Sequence, residues 1–545
     1  MDRDSAAGPD GFTGKFFTSS WDIIGEDVYR AVQSFFCGEE LPRRVTATSL
    51  VLLAKVARPK DFSEFRPISL CNFVNKNISK LLANRLASVL PNIISENQSG
   101  FVRGRLISDN YLLAQDLVSS IGRAARRGNV ALKLDMMKTY DRVVWPFLIN
   151  VLRTFGFGER WVDMVWRLIS NVWFSVVVNG SSYGFFKSTR GFRQEDPLSP
   201  ALFIIGAEVL LRSLNNLQSH RGFQGFRVPR GCPQVSHLGY ADNVLIFSSA
   251  SMKSLKLVKQ VLTDYEAVSG KGSMRERAVS LCTRRFLCPR DWEFRGLLSQ
   301  GGRIVLLKHV LSAMPTYLLM AASPPKAIFK QLEGGVGFRL LEDIHRASSI
   351  KLWWNFHSKS SLWASFMHAK FCRVAHPNLV FSEKGSEGWR RMVKVRALAE
   401  RHIRWIIRSG SSNFWFDNWL GTGRLADRLD SVSDHKVAEF VQGGSWDVRR
   451  ISQWVPLDIV VEIGRMHPPV GLLPDLMVWR PESSGHFTLK TAFSLVQYHS
   501  TPSPLFNRIW HPVVPLRVSF FLLRLLRDRL PLDCSVWKLG IQGPS

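Results

Sequence analysis

The stretches VALKLD at residues 130–135 and HLGYADNVLIF at residues 237–247 decide the fold predicted for this chain. The first is an apolar run that ends in an aspartate, and the second is a pair of apolar runs joined by a tight turn. These patterns predict a β-strand ending at Asp135 and a β-hairpin with Asp242 at its tip. Two carboxylates that meet at strand ends can hold paired divalent cations for phosphoryl transfer, so both aspartates are predicted metal ligands and catalytic residues.

The residue after Asp242 is Asn243, a neutral amide at a position where a third carboxylate would strengthen a metal site. An amide oxygen can coordinate a metal, but it contributes no negative charge to balance two divalent cations. We therefore include Asn243 in the predicted catalytic group and expect it to weaken metal binding.

The charge of the chain favours a polyanionic partner. Lys and Arg total 72 against 44 Asp and Glu in 545 residues, which gives a formal net charge of +28. Basic residues that neutralise phosphates release counterions, so a surplus of this size indicates nucleic acid. The alternative is that the charge serves only solubility. The hydrophobic content of 46% is sufficient for sizeable cores.

The seven cysteines are scattered and form no Cys-x-x-Cys pair. This pattern is typical of reduced thiols in an intracellular protein, and it predicts neither a disulfide framework nor a structural zinc site. The N-terminus is polar, and proline and arginine interrupt the most apolar late segment, at 513–526. We expect a soluble protein of the nucleus or cytoplasm, with no signal peptide, transmembrane segment or membrane contact.

Hydrophobic periodicity predicts the elements around the two stretches. Helices are predicted at 21–36 and 78–90, near 111–126, 145–170 and 199–217, and at 255–268. Further strands are predicted at 50–53, 174–179 and 183–187. Helices packed on one face of an antiparallel sheet would give an α+β fold.

Six blocks, in order, resemble the reverse transcriptases of non-LTR retrotransposons of the long interspersed kind found in plant genomes. The blocks are GPDGF at 8–12, FRPISL at 65–70, NQSGFVRGR at 97–105, KLDMMKTYD at 133–141, RQEDPLSP at 193–200 and YADN at 240–243. The family's last block ends in two aspartates, and this chain departs from it there only at Asn243. The resemblance covers about the first half of the chain.

The resemblance implies an α+β right-hand polymerase fold with a mostly helical C-terminal extension. It divides the chain into a fingers-like region at 1–110, a palm with the catalytic motifs at 111–275 and a shortened thumb-like region at 276–345. A linker or helical extension at 346–470 and a truncated zinc-binding-like region at 471–545, without its metal ligands, would follow. No endonuclease or RNase H pattern is visible in the sequence.

The resemblance also implies roles for the catalytic residues. Asp135 and Asp242 would lie on adjacent palm strands and bind Mg²⁺, with Mn²⁺ as a substitute. Tyr140 would pack under the sugar of the incoming nucleotide and screen for a missing 2′-hydroxyl; the alternative is an ordinary core aromatic.

Basic and polar residues outside the palm strands are implied to bind the substrates. Arg66 and Lys55 would grip the triphosphate of the incoming deoxynucleotide, and Gln194 would contact template or nucleotide. Arg103 and Arg105 would contact the template backbone. The alternative for each basic residue is a solvated surface charge.

Two further features of the resemblance bear on activity. Glu195 stands where the family has glycine, so its Cβ and its carboxylate are expected to obstruct the template and repel the triphosphate. The blocks NFWFDNWL at 413–420 and GHFTLK at 485–490 also resemble plant members of the family. Their aromatic residues would either stack on bases or simply pack helices.

The sequence thus indicates an RNA-directed DNA polymerase that uses an RNA template, a DNA primer and deoxynucleoside triphosphates, with no evident protein partner. Asn243 and Glu195 are expected to impair it. A catalytically inactive nucleic-acid-binding remnant and an unstable pseudogene product remain as alternatives.

Overall fold

The computed structural model describes residues 6–497, except 120–127, 271–278, 282–340, 359–360, 381–384 and 430–432, together with a few isolated positions after 497. The predicted thumb-like region at 276–345 and the end of the predicted zinc-binding-like region therefore lie almost entirely outside the described residues. Among the helices that are described, none combines the length and the apolar composition needed to cross a membrane.

The elements follow the predicted order over the first half of the chain. The helices of this half are Gly14–Ser19 (α1), Trp21–Cys37 (α2), Arg43–Thr46 (α3), Phe73–Ile93 (α4), Ile107–Ser119 (α5), Trp145–Thr154 (α6), Glu159–Ser170 (α7), Ser199–Asn216 (α8) and Met252–Ser269 (α9). The strands are Ala47–Ala54 (β1), Phe65–Cys71 (β2), Asn129–Asp135 (β3), Trp173–Val178 (β4), Ser181–Lys187 (β5), His237–Tyr240 (β6), Asn243–Ser249 (β7) and Val279–Leu281 (β8).

The second half adds six helices and four short strands among the described residues. The helices are Leu341–Ser358 (α10), Leu362–Met367 (α11), Glu387–Glu400 (α12), Val448–Ile451 (α13), Leu457–Gly464 (α14) and Leu489–Val496 (α15). The strands are Ile403–Ile406 (β9), Val441–Gln442 (β10), Ser445–Trp446 (β11) and Leu476–Trp479 (β12).

The helix predicted near 145–170 is in fact two helices, α6 and α7. The chain reverses between them at Gly156, whose φ is +85°. A backbone in this left-handed region cannot continue an α-helix, and glycine adopts it at little cost.

The palm sheet has the strand order β6-β7-β3-β8, and all of its pairs are antiparallel. This arrangement confirms the predicted α+β class and the predicted hairpin, because β6 and β7 pair directly and β7 lies against β3. On one face of the sheet, Leu134, Val244 and Ile246 belong to the core that α4, α6, α7 and α8 supply.

The opposite face of the palm sheet is also covered, so the expectation of helices on one face only was wrong. Ala131, Leu238 and Phe247 point to this face and share a second core with Trp353 of α10 and Trp389 of α12. The reason lies in the strands themselves: their apolar residues occupy both alternating faces, and each face requires a covering layer.

A second four-stranded sheet, here called the fingers sheet, has the order β2-β1-β4-β5. Its β1 and β4 are parallel, and its other pairs are antiparallel. The strands at 173–187, which the sequence assigned to the palm, therefore belong with the strands of the fingers-like region. A boundary at residue 110 does not separate the two sheets, because β4 and β5 return to the first one.

The region predicted as a linker or helical extension at 346–470 contains a core of its own. Phe414, Trp415 and Trp419 of the NFWFDNWL block are buried there against Val437 and Phe440. These rings have no exposed face on which a base could stack, so the packing alternative holds for them.

We predict that a chain cut after Leu281 is less stable than the full chain. The cut removes the cover from Leu113, Leu238 and Phe247, and exposing three such side chains costs about 5 kcal/mol. Urea titration followed by circular dichroism measures the loss, with full-length Trp419→Ala, which perturbs the separate third core, as the control. An unchanged midpoint for the palm in the shortened chain would contradict the two-sided core.

Candidate active site

The two predicted catalytic aspartates lie at neighbouring strand ends. Asp135 is the last residue of β3 and is paired across the sheet with Asn243, the first residue of β7. The N–H of Met136 donates to the carbonyl oxygen of Asp242 at 2.7 Å, which continues the ladder one step beyond the strand. The register of β3 and β7 thus brings the backbones of Asp135 and Asp242 together although they are far apart in sequence.

The hairpin turn consists of Ala241 and Asp242. Ala241 has φ +66°, whereas Asp242 is not in the left-handed region, as in a type II′ turn. The Asp242 side chain is half-buried, and its Oδ1 accepts a hydrogen bond from Nδ2 of Asn243 at 3.0 Å. Asn243 therefore occupies one acceptor of the carboxylate that a cation would need.

Gln98 holds this turn in place. Its buried side-chain Oε1 accepts the N–H of Ala241 at 3.0 Å and the N–H of Gly100 at 2.9 Å. A Cβ on Gly100 would lie 2.6 Å from the nitrogen of Ala241, so only glycine permits this approach. Both residues lie in the block at 97–105, where neither was expected to have a role.

Buried amides extend this support along β6. Nδ2 of Asn97 donates to the carbonyl of His237 at 2.8 Å, and Nδ2 of Asn110 donates to the carbonyl of Gly239 at 3.0 Å. The Tyr240 hydroxyl in turn donates to the carbonyl of Asn110 at 2.8 Å. None of these residues was given such a role from the sequence, because only the fold reveals that they lie at the edge of β6, where the backbone at 97–99 also pairs with Gly239.

Arg105 has a structural role in place of its predicted template contact. Its Nη1 donates to the carbonyls of Ser95 and Gln98, and its Nη2 donates to those of Pro91 and Ile94. The last two carbonyls belong to the end of α4, where helical partners run out. With both terminal nitrogens engaged, Arg105 has only Nε–H left for a ligand. Arg103 is exposed, and its template contact stays a prediction.

Tyr140 lies in the 3₁₀ segment Met137–Arg142 and is held on several sides. Its ring packs against Phe192 and Phe203, with centroids 5.6 and 5.5 Å apart, and its hydroxyl donates to the carbonyl of Arg193. Burial raises the pKa of the hydroxyl far above its usual value. The ring is therefore firmly oriented, and its role as a sugar screen stays a prediction.

Gln194 and Lys55 both lie near Asp141. Nε2 of Gln194 donates to Oδ1 of Asp141 at 3.2 Å. Burial raises the pKa of Asp141, while the hydrogen bond from Gln194 and the positive charge of Lys55 act to lower it. Arg66 is exposed on β2 opposite Leu53. Both predicted triphosphate ligands thus lie on the β1–β2 hairpin.

Asp196 anchors the loop that carries Gln194. Its carboxylate is buried against Arg193 at 2.9 Å and accepts the N–H groups of Leu198 and Ser199 at the start of α8. The hydroxyl of Ser199 also donates to Asp196. Between this loop and the fingers sheet lies a cavity of about 320 Å³, lined by side chains that include Leu50, Phe174 and Arg193.

Glu195 has φ +71° and an exposed side chain. This left-handed conformation costs a residue with a Cβ about 1–2 kcal/mol, whereas glycine adopts it freely. The conformation therefore explains why the family has glycine at this position.

The donor set fits a divalent cation only partly. Aspartate carboxylates are the hard oxygen ligands that Mg²⁺ prefers, and the backbones of two aspartates meet here at adjacent strand ends. The third position offers an amide whose N–H group points at Asp242 rather than an anionic oxygen. Asp135 and Asp242 would hold the ion, and its charge would be less well balanced than with a third carboxylate.

Comparison with known proteins shows similarity over the part of the chain that carries this site. Residues 58–270 match the family described as reverse transcriptase (RNA-dependent DNA polymerase), so the chain contains a reverse transcriptase domain. The proteins to which the chain is similar include a transposon protein and polyproteins of R2 retrotransposable elements, in agreement with the resemblance of the sequence motifs.

Two curated relatives illustrate the similarity. A transposon TX1 protein of Xenopus laevis is 30% identical over 49% of this chain, and a Pol polyprotein from the element R2DM of Drosophila melanogaster is 27% identical over 49%. These alignments span only 20% and 24% of the relatives' own lengths. Among solved structures, telomerase from Candida albicans aligns with 66% of this chain and 62% of its own, at 13% identity and a TM-score of 0.35.

We predict that Glu195→Gly stabilises the protein by about 1 kcal/mol, because it relieves the left-handed strain. Glu195→Ala is the matched control, since it removes the charge but keeps the Cβ. Urea denaturation distinguishes the two variants. Equal stability of the glycine and alanine variants would mean that charge, and not backbone conformation, governs this position.

We predict that Gly100→Ala displaces the hairpin turn, since the new Cβ would meet the Ala241 amide. The expected cost is about 2 kcal/mol of stability, measured by the urea midpoint. Gly464→Ala is the control, because a Cβ there meets no described atom within 4 Å. Equal stability of both variants would argue against the close contact at Gly100.

Proposed function

We propose that this chain carries an RNA-directed DNA polymerase of a non-LTR retrotransposon, in which Asp135 and Asp242 bind the catalytic cations. The observation that carries the proposal is the register of β3 and β7, which pairs Asp135 with Asn243 beside the Asp242 turn within a reverse transcriptase domain. The proposed cofactor is Mg²⁺, with Mn²⁺ as a substitute. The proposed substrates are deoxynucleoside triphosphates on an RNA template and a DNA primer, in the nucleus or cytoplasm.

The side chains of the chain have distinct parts in this reaction. Bound cations would neutralise the charge that develops during nucleotidyl transfer. Lys55 and Arg66 would bind the triphosphate from the fingers sheet, and Tyr140, held by its aromatic neighbours, would support the sugar. Gln194, oriented by Asp141, would position template or nucleotide.

Two residues are proposed to impair the reaction, and they act in different ways. Because Asn243 is neutral, the site has one negative charge fewer to balance the cations. Its side-chain amide also donates a hydrogen bond to the carboxylate of Asp242. Glu195 adds a carboxylate to the loop beside Gln194, where it repels the triphosphate. Each change is local, since the hydrogen bonds that hold the turn do not involve either side chain.

A catalytically inactive nucleic-acid-binding protein is the second candidate. The hydrogen bond between Asn243 and Asp242 favours it, because this bond engages an oxygen of the Asp242 carboxylate that a cation would need. The charge of +28 suits binding in either case.

Primer extension on poly(A) with an oligo(dT) primer and Mg²⁺ tests the proposal. We expect slow extension by the parent, none by Asp242→Ala, and a rate about tenfold or more higher for Asn243→Asp, because a restored carboxylate stabilises the cations. The fold control is the unfolding midpoint of each variant. Extension that persists in Asp242→Ala would refute the assigned site, and silence in all three proteins would favour the inactive nucleic-acid-binding candidate.

A further inference from the structure

The hairpin β4–β5 at the edge of the fingers sheet exposes an unusual set of aromatic side chains. Tyr183 is 59% exposed and Phe186 is 48% exposed, although both are residues that normally seek burial. Every residue of β5 is exposed. None of the roles assigned above uses these rings.

A β-bulge brings these two rings to the same face. Phe186 pairs with Phe174, and Tyr183 pairs with Val176, so β5 has one residue more than β4 between these pairs. Residues three apart would otherwise point to opposite faces of a strand. Gly184, with φ +70°, supplies the extra residue in a conformation suited to glycine.

This face continues into the candidate active site. Tyr183 pairs with Val176, and Phe186 pairs with Phe174. Val176 in turn pairs with Leu50, and Leu50 pairs with Ser69. The last two residues and Phe174 line the cavity whose opposite wall includes Gln194 and Asp141. The exposed rings therefore lie on the same face of the fingers sheet as the wall of that cavity.

The opposite face of the hairpin is braced. Phe185 stacks on Trp173 with ring centroids 5.1 Å apart, and the guanidinium of Arg43 lies 4.5 Å from the Trp173 ring centroid. Cation–π and stacking contacts of this kind hold a hairpin in shape. Tyr183 and Phe186 are thus presented on a supported surface.

Charge identifies the occupant that suits this surface. From Met164 to Gln194 the chain contains no Asp or Glu, and Lys187 and Arg190 are exposed within or beside the hairpin. Exposed aromatic faces beside positive charge, with no carboxylate in the segment, match unpaired nucleic acid, whose bases stack and whose phosphates need cations.

We propose that Tyr183 and Phe186, with Phe174 beside them, form a stacking platform for the unpaired RNA template on its way to the polymerase site. The identification of the bound RNA as the template depends on the proposed function, whereas the binding of unpaired RNA does not depend on it. Bases would stack on the two rings, and Lys187 and Arg190 would contact the phosphates.

Fluorescence anisotropy with labelled oligo(U), in EDTA and without nucleotides, measures this binding in the full-length protein independently of catalysis. We expect Tyr183→Ala/Phe186→Ala to raise the Kd about tenfold or more, because each lost stack costs about five- to a hundredfold. Tyr183→Phe and Phe186→Tyr should bind as the parent does. Tyr29→Ala is the control, since Tyr29 is an equally exposed aromatic on α2, beside acidic neighbours.

Binding to a duplex RNA of the same length should not change in the double variant, because paired bases offer no free face. An unchanged oligo(U) affinity, or an equal loss for duplex, would overturn the platform. Photocrosslinking of 4-thiouridine RNA to the parent protein covers the case of a double variant that fails to fold. Crosslinks to Tyr183 or Phe186 would support the proposal, and crosslinks only elsewhere would contradict it. If primer extension failed but these crosslinks formed, the proposed polymerase activity would be rejected and the proposed binding of unpaired RNA would still be supported.

Discussion

The antiparallel register between β3 and β7 is the constraint on which the rest of the site depends. It pairs Asp135 with Asn243 and leaves Asp242 in the two-residue turn beside them. A slip of one residue would send Leu134 and Val244 to the wrong face of the sheet and separate the aspartates. Because both faces of these strands are buried in cores, the same packing that stabilises the palm also brings the backbones of Asp135 and Asp242 together.

The segment at 97–100 holds both the turn and the outer edge of β6. The Gln98 side chain accepts the N–H of Ala241, and the backbone of this segment pairs with Gly239 of β6. Gly100 leaves space for the turn. This scaffold is intact in the present chain, whereas Asn243 and Glu195 change only the chemistry that it presents. We infer that impairment, if it is measured, reflects two local substitutions in an otherwise formed site.

The sequence predicted the α+β class, the hairpin and the approximate positions of the longer elements in the first half, because apolar alternation and helical spacing are local signals. It did not predict that β4 and β5 join the fingers sheet, since strand partnership is settled by long-range packing. Neither Arg105, bound to the end of α4, nor the buried rings of the NFWFDNWL block could be told from functional residues by type alone. The left-handed conformation of Glu195 was signalled only by the glycine that the family has there.

The central claim is that Asp135 and Asp242 form a divalent cation site that Asn243 weakens. Electron paramagnetic resonance titration with Mn²⁺ tests it most directly, because free and bound Mn²⁺ are distinguished without any catalytic step. We expect a weak site in the parent that is lost in Asp242→Ala and tightened about tenfold or more in Asn243→Asp, since a carboxylate replaces a neutral amide. Mn²⁺ binding that is the same in all three proteins would contradict it.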